Sequence, residues 1–285
     1  MNILISGSTG LVGQKLQEVL IGSGHKVTGI GRTDFSGPED ALHSKVGQAD
    51  VVINLAGAPI VARWTESYKK EIMDSRVLTT RRLVKAMKSA PAWRGLFIST
   101  SAVGIYPEGE VFTESNARHG NDFLAEVCKA WEAEAMKARP QTKVAVFRLG
   151  VVLDRKGGAL QKMLPAFRLG LGGPIAGGKQ GFSWIHMDDL INAYLFVIEK
   201  QLDGIFNLSA PQPTDNAGYT RALGKILRRP VFFPIPAIGL RQVYGEGATA
   251  LTSGQKAIPE RLLNEGFVFK FPEIEGALAD LVGMS

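Results

Sequence analysis

The chain has 285 residues, with 33 Lys and Arg against 27 Asp and Glu, a formal net charge of +6, and 45% hydrophobic against 21% charged residues. That is the composition of one large folded domain or two closely joined ones, and it excludes disordered and collagen-like chains. A single cysteine, Cys128, excludes an intramolecular disulfide and a Cys-based zinc cluster. Uncharged stretches such as Val51–Ala62 fall far short of the ~18 residues of a membrane span. No run of five basic residues offers a polyanion-binding tail, so neither a membrane nor a nucleic acid is expected as a partner. The N-terminus carries no basic n-region, and together with the lone cysteine this gives the expectation of a soluble, cytoplasmic protein.

Asn2–Ser6 is a short apolar run ended by Gly7, and Leu11–Gly22 then places apolar residues at helical spacing. Lys26–Ile30 is a second strand, completing a βαβ unit. Asp50–Leu55 is a third, after a connection too short for a full strand-helix pair, so the second crossover is abbreviated. Thr65–Lys88 predicts a long amphipathic helix stopped by Pro91, Arg94–Ser99 a strand, Asp122–Lys137 a helix and Lys143–Leu149 a buried strand. Beyond Val152 a glycine-rich segment, Gly157–Gly181, holds eight of the 33 glycines. Helix over Asp188–Lys200, strand over Gly204–Ser209 and helix over Thr214–Leu227 follow, and prolines break the last fifty residues into short pieces. The pattern predicts an α/β chain: a Rossmann-type doubly wound parallel sheet with a smaller C-terminal lobe on the substrate side. The expected division is 1–152, with 183–210 returning to it, against 153–182 and 211–285.

Gly7-Ser8-Thr9-Gly10-Leu11-Val12-Gly13 follows the first strand and opens the first helix. Its three glycines suit a tight turn, close backbone approach to a pyrophosphate and close helix packing, with the helix N-terminus supplying N–H groups for the phosphates. About 20 residues on, where an acid selects NAD and an arginine the 2′-phosphate of NADP, the chain reads Gly31-Arg32-Thr33-Asp34. Arg32 favours NADP(H), while Asp34, two residues later, leaves NAD open. Asn54-Leu55-Ala56-Gly57 supplies the small residues needed beneath a ribose at the carboxyl edge of the sheet.

These runs, with Ser99-Thr100-Ser101-Ala102 and Trp184-Ile185-His186-Met187-Asp188-Asp189, resemble the extended short-chain dehydrogenases/reductases, the class containing sugar-nucleotide epimerases. Arg63-Trp64, Ser75-Arg76 and the string Met163–Ile175 are similar to an atypical subgroup known only as epimerase family proteins. That subgroup carries a C-terminal domain of unknown function, matched here by Gly254-Gln255-Lys256, Pro259, Arg261-Leu262 and Gly266-Phe267, within about 230–277. The resemblance implies NADP binding, with contacts at Gly7, Gly10, Leu11, Val12, Arg32, Leu55, Ala56, Glu71 and Arg76, and names no substrate.

Ordinary members of that superfamily use a serine with a tyrosine and a lysine four apart on a helix. Ser101 matches the serine, but with Glu132 as the usual following acid, Leu124 occupies the tyrosine position and Cys128 the lysine position. The remaining candidates for acid-base work are Tyr106 in the loop after the strand, His186 at the expected substrate cleft, and Cys128 itself. Lys162, Arg168 and Lys179 in the glycine-rich segment are placed to clamp an anionic substrate, or else decorate a surface loop. Two readings stay open: an NADP(H)-dependent oxidoreductase or epimerase-like enzyme acting on a small, polar, anionic or nucleotide-linked substrate, and a non-catalytic NADP(H) sensor or scaffold.

Overall fold

The computed structural model describes residues 1–90, 92–139 and 141–283. In chain order the first half comprises β1 (Asn2–Ser6), α1 (Leu11–Gly22), β2 (Lys26–Ile30), α2 (Arg32–Ser36), α3 (Glu39–Gly47), β3 (Val51–Asn54), α4 (Glu66–Lys88), β4 (Leu96–Ala102), β5 (Val111–Phe112), α5 (Phe123–Met136) and β6 (Lys143–Leu149). The second comprises β7 (Val151–Leu153), α6 (Gly158–Arg168), β8 (Gly181–Phe182), β9 (Trp184–His186), α7 (Met187–Lys200), β10 (Gly204–Leu208), β11 (Thr214–Asp215), α8 (Asn216–Leu227), α9 (Ala237–Tyr244), α10 (Thr249–Thr252), β12 (Lys256–Ala257), α11 (Glu260–Asn264) and α12 (Ile274–Val282).

Six parallel strands form the main sheet in the order β10-β6-β4-β3-β1-β2. Strand residues alternate between two cores, because successive side chains leave a strand on opposite faces. Ile3, Ile5, Val51, Ile53, Leu96, Ile98, Ala145 and Phe147 join α1 and α7 on one face. Leu4, Val52, Phe97, Val144 and Val146 meet α3, α4 and α5 on the other. Strand order reverses at β1, so the crevice beyond the carboxyl ends of β1 and β3 is where such a sheet binds ligands. The abbreviated crossover consists of the two short helices α2 and α3, which lead directly back to β3 beside β1.

Helix α4 starts one residue after its expected first residue because Thr65 is the cap, its hydroxyl accepting the Tyr68 N–H at 3.1 Å. Pro91, expected to stop that helix, lies outside the described residues. The glycine-rich segment is not loop throughout. Within it α6 runs for eleven residues, with Pro165 inside it and Leu160, Leu164 and Phe167 buried against Trp184, Tyr219 and α12. Burial of that apolar stripe outweighs the hydrogen bond that proline withholds.

Candidate functional site

The glycine loop closes on the crevice. Gly7 leaves β1 in the left-handed region, φ +77°, and a Cβ there would lie 2.9 Å from the Ala56 nitrogen, so only glycine lets the loop pass the end of β3. The Gly10 N–H returns to the Gly7 carbonyl at 3.1 Å, turning the chain into α1. Gly13, one turn into α1, packs so tightly that a Cβ would sit 2.4 Å from the Gly7 oxygen. Thr9 and Gly10 are exposed at the tip, with Leu11 and Val12 half-buried behind them.

Helix α1 has no side-chain cap and no acidic residue in its first turn. By contrast α4, α5, α7 and α8 are capped by Thr65, Asp122, His186 and Asp215. Helix α6 also starts uncapped, at Gly157, where a Cβ would lie 2.7 Å from a Leu11 methyl carbon. Two helix N-termini without side-chain caps thus meet at one mouth, and the cradle fits the pyrophosphate of a dinucleotide.

At the end of β2 the acid and the base have separate fates. Asp34 accepts the Gly31 N–H at 2.8 Å and pairs with Lys45, and these bonds, the lysine first, hold its carboxyl below the usual range. Arg32 is exposed at the start of α2 and makes no hydrogen bond or ion pair with the described residues. The carboxylate that would select a ribose 2′-OH is engaged, and the guanidinium suited to a 2′-phosphate is free.

Leu55 and Ala56 lie half-buried at the end of β3, with Gly57 exposed beyond them. Asn54 points inward, its amide donating to Thr80 Oγ1 at 2.8 Å, so its side chain fixes the strand end from below. Thr80 also accepts from Trp131 Nε1 at 2.9 Å and donates to the Arg76 carbonyl at 2.7 Å. Arg76 donates to the Ala58 and Ile72 carbonyls, both at 3.0 Å, and stacks its guanidinium 5.3 Å from the Trp131 ring. It has no carboxylate partner among the described residues, and burial lowers its pKa. A half-buried cation with no counter-ion beside Gly57 is a place for an anion. Glu71, five residues earlier and so about 140° around the helix, is exposed and forms no pair with it.

The candidate catalytic side chains are placed differently from the sequence expectation. Ser101 Oγ donates to Glu132 Oε1 at 2.7 Å, and Glu132 receives a two-pronged contact from Arg148, 2.8 Å at Nε and 2.8 Å at Nη2. Arg148 Nη1 donates to the Tyr106 hydroxyl at 2.8 Å, which donates in turn to Asn207 Oδ1 at 2.8 Å. Tyr106 is fully buried and stacked on Phe112 at 5.2 Å, so its phenol is turned into the core instead of toward the nicotinamide side. Burial raises its pKa, opposed by Arg148. Cys128 is buried, its thiol pushed up to about 11 by burial and then by Glu132, which keeps it protonated at neutral pH. Leu124 packs against the cluster of Trp64, Ile72 and Val127.

His186 caps α7, its Nδ1 accepting the Asp188 N–H at 3.0 Å, and its ring lies 4.0 Å from Phe271. Its Nε2 is 3.3 Å from Asp280 Oδ2 but without hydrogen-bond alignment. Burial lowers its pKa against the pull of Asp188 and Asp280. It lies against Phe271 and beside Asp280 of the C-terminal helix, with its Nδ1 committed to the start of α7. Lys162, Arg168 and Lys179 are exposed, on α6 and the loop after it. Sequence reasoning missed Arg148, although an arginine in an otherwise apolar buried strand announces a buried acidic partner.

Comparison with known proteins adds three findings. Residues 3–209 match the NAD dependent epimerase/dehydratase family, and residues 235–281 match a domain of unknown function, DUF1731. The mouse epimerase family protein SDR39U1 is 38% identical over 99% of this chain and 100% of its own length, and the Bacillus subtilis epimerase family protein YfhF is 33% identical over 99% and 98%. The crystal structure of human SDR39U1 (isoform 2) with NADPH superposes with a TM-score of 0.91 at 36% identity, covering 99% of both chains.

Proposed function

Because the chain belongs to the NAD dependent epimerase/dehydratase family and resembles its epimerase family proteins throughout, we propose that it binds NADP(H) and acts as an oxidoreductase or epimerase-like enzyme. The substrate in this reading is small, polar, and anionic or nucleotide-linked. The observation that carries the cofactor choice is the split at the end of β2: Asp34 held by Lys45 and the Gly31 N–H, Arg32 free. The NADPH in the human relative's crystal structure supports the same choice.

In this proposal the Gly7–Gly13 loop and the start of α1 hold the pyrophosphate, Arg32 the 2′-phosphate, and Leu55–Gly57 the ribose floor. Arg76 places a cation against Cys128, near the position where ordinary relatives carry lysine. Bound NADP(H) supplies or accepts the hydride. Leu124 offers no proton at the tyrosine position, so water or the substrate exchanges it. Residues 1–152 with 183–210 form the cofactor unit, and 153–182 with 211–285 form the substrate side. The apolar core of α6, α8 and α12 supports that division, with Trp184 reaching into it and Leu262, Phe267 and Phe269 packing back into the core of the sheet. The buried thiol suits a reducing, cytoplasmic compartment.

Calorimetric titration with NADPH and NADH tests the cofactor reading. Wild type binds NADPH at least tenfold more tightly, and Arg32→Ala removes most of that preference; equal affinities in wild type sink it. A second reading, a non-catalytic NADP(H) sensor, is favoured by Ser101, Tyr106 and His186 all being committed to internal contacts. Tight NADPH binding without turnover across carbonyl and sugar-nucleotide panels selects that reading.

A further inference from the structure

The lobe built from α6, α8 and α9 carries a feature that the cofactor site does not use. Residues 155–187 contain five Lys or Arg and no Asp or Glu, and residues 216–245 again contain five and none. These 63 residues hold +10 of a chain whose total is +6, which leaves −4 for the rest. The cations are exposed: Lys162 and Arg168 on α6, Lys225 on α8, Arg228 and Arg229 just beyond it, and Arg241 on α9. None of these six side chains makes a hydrogen bond or ion pair with the described residues.

The same segments also expose large apolar side chains. Phe232 is 81% exposed, Leu169 74%, Ile238 69% and Phe233 56%. Their segments lie side by side: Ile175 bridges Ile235, the Ile235 N–H donates to the Pro174 carbonyl at 2.9 Å, and a Cβ on Gly170 would lie 3.4 Å from Pro230. Phe232 and Phe233 stand between Pro230 and Pro234, and α9 beyond them has no buried residue. A side chain lining a closed substrate groove is shaded by the opposite wall, whereas one that is 81% exposed stands out from the surface.

We propose that this face docks on an anionic lipid bilayer, with Phe232, Phe233, Leu169 and Ile238 entering the interface and Arg168, Arg228, Arg229 and Arg241 meeting the headgroups. Protruding aromatics rimmed by unpaired cations match the two requirements of interfacial binding, apolar insertion and attraction to negative lipid. Nucleic acid would be served by the cations but gives no reason for exposed leucine and isoleucine beside them. This revises the sequence expectation of no membrane partner only for the surface of a bilayer. No described helix is long and apolar enough to cross one.

Flotation of the full chain with vesicles of phosphatidylcholine alone, and of an equal mixture with phosphatidylglycerol, tests this. The chain is expected to float with the mixed vesicles, to be released by high salt, and to ignore the neutral ones. Phe232→Ser with Phe233→Ser, and separately Arg228→Glu with Arg229→Glu, should each lower partitioning at least tenfold while NADPH affinity and the melting temperature hold. Absence of flotation, equal flotation with neutral vesicles, stronger retention on a duplex DNA oligonucleotide, or a stable dimer that protects Phe232 and Phe233 from hydrogen-exchange or cross-linking probes would each overturn it.

Discussion

The cofactor unit and the α6–α9 lobe treat charge in opposite ways. In the first, Arg32 and Arg76 at the cofactor mouth aside, Lys45 is matched with Asp34, Lys85 with Glu39, Arg81 and Lys137 with Glu134, and Arg148 with Glu132 deep in the core. In the second, cations stand exposed and unmatched beside apolar side chains. Two of these pairs in the first unit fix strand ends, Asp34 with Lys45 after β2 and Arg148 with Glu132 near the end of β6. Leaving cations unpaired contributes nothing to folding, which places their use outside the chain.

The largest effect is expected where pairing is deepest. Arg148 is 1% exposed and Glu132 8%, so removing either partner strands a buried charge. Glu132→Gln or Arg148→Met should cost about 3–5 kcal/mol, measured as a fall in urea midpoint. Replacing both with apolar residues should recover most of it, because no charge is then left alone. A single-variant cost below about 1 kcal/mol would show that water reaches the pair and would erase the contrast between the two regions.

The network also explains how far function was legible in the sequence. Helix and strand spans such as Thr65–Lys88 and Lys143–Leu149 were readable because apolar spacing is local, and the glycine loop because its motif fits within seven residues. Helix α6 was hidden because Gly157, Gly158 and Pro165 mimic a loop, and only the distant Trp184 and Tyr219 reward its apolar stripe. The surroundings of the catalytic candidates were hidden for a related reason. The direction of Ser101 is set by Glu132 and of Tyr106 by Asn207, partners 31 and 101 residues away, and that of His186 by the Asp188 N–H it caps and by Phe271 against its ring. A residue type in a strand-end position does not reveal which way its hydroxyl turns.

Alkaline pH tests the same buried region more gently. The Cys128 thiol is raised from 9.0 to about 11, so the unfolded chain ionises first as pH rises. Its contribution is therefore complete below pH 9.0 and is lost progressively toward pH 11, by about 2–3 kcal/mol in all. Cys128→Ala should remove the thiol's share of the fall in stability over pH 9–10, the remainder coming from Tyr106, Tyr194 and Tyr219, whose pKa values burial also raises above 10.0. An unchanged slope in the variant would mean that the thiol is solvated in the folded protein.

The smallest effect falls in the lobe and has the opposite sign. Arg228 ends α8 in the left-handed region, φ 53° and ψ 44°, where glycine is the usual residue. The Arg229 N–H donates to the Gly224 carbonyl at 2.9 Å, so the turn is well formed despite the side chain. A non-glycine residue there costs about 1 kcal/mol, of which the greater flexibility of an unfolded glycine chain cancels part. Arg228→Gly should therefore raise stability by about 0.5 kcal/mol, or ~1–2 °C in melting temperature. It should also weaken partitioning onto anionic vesicles about fivefold, the effect of roughly 1 kcal/mol per basic residue near a charged membrane. A variant that is more stable but binds less separates the two regions cleanly, since a cation kept for the fold could not be removed at a gain. Loss of stability at this position would instead assign Arg228 to the packing of α8 and withdraw it from the docking face.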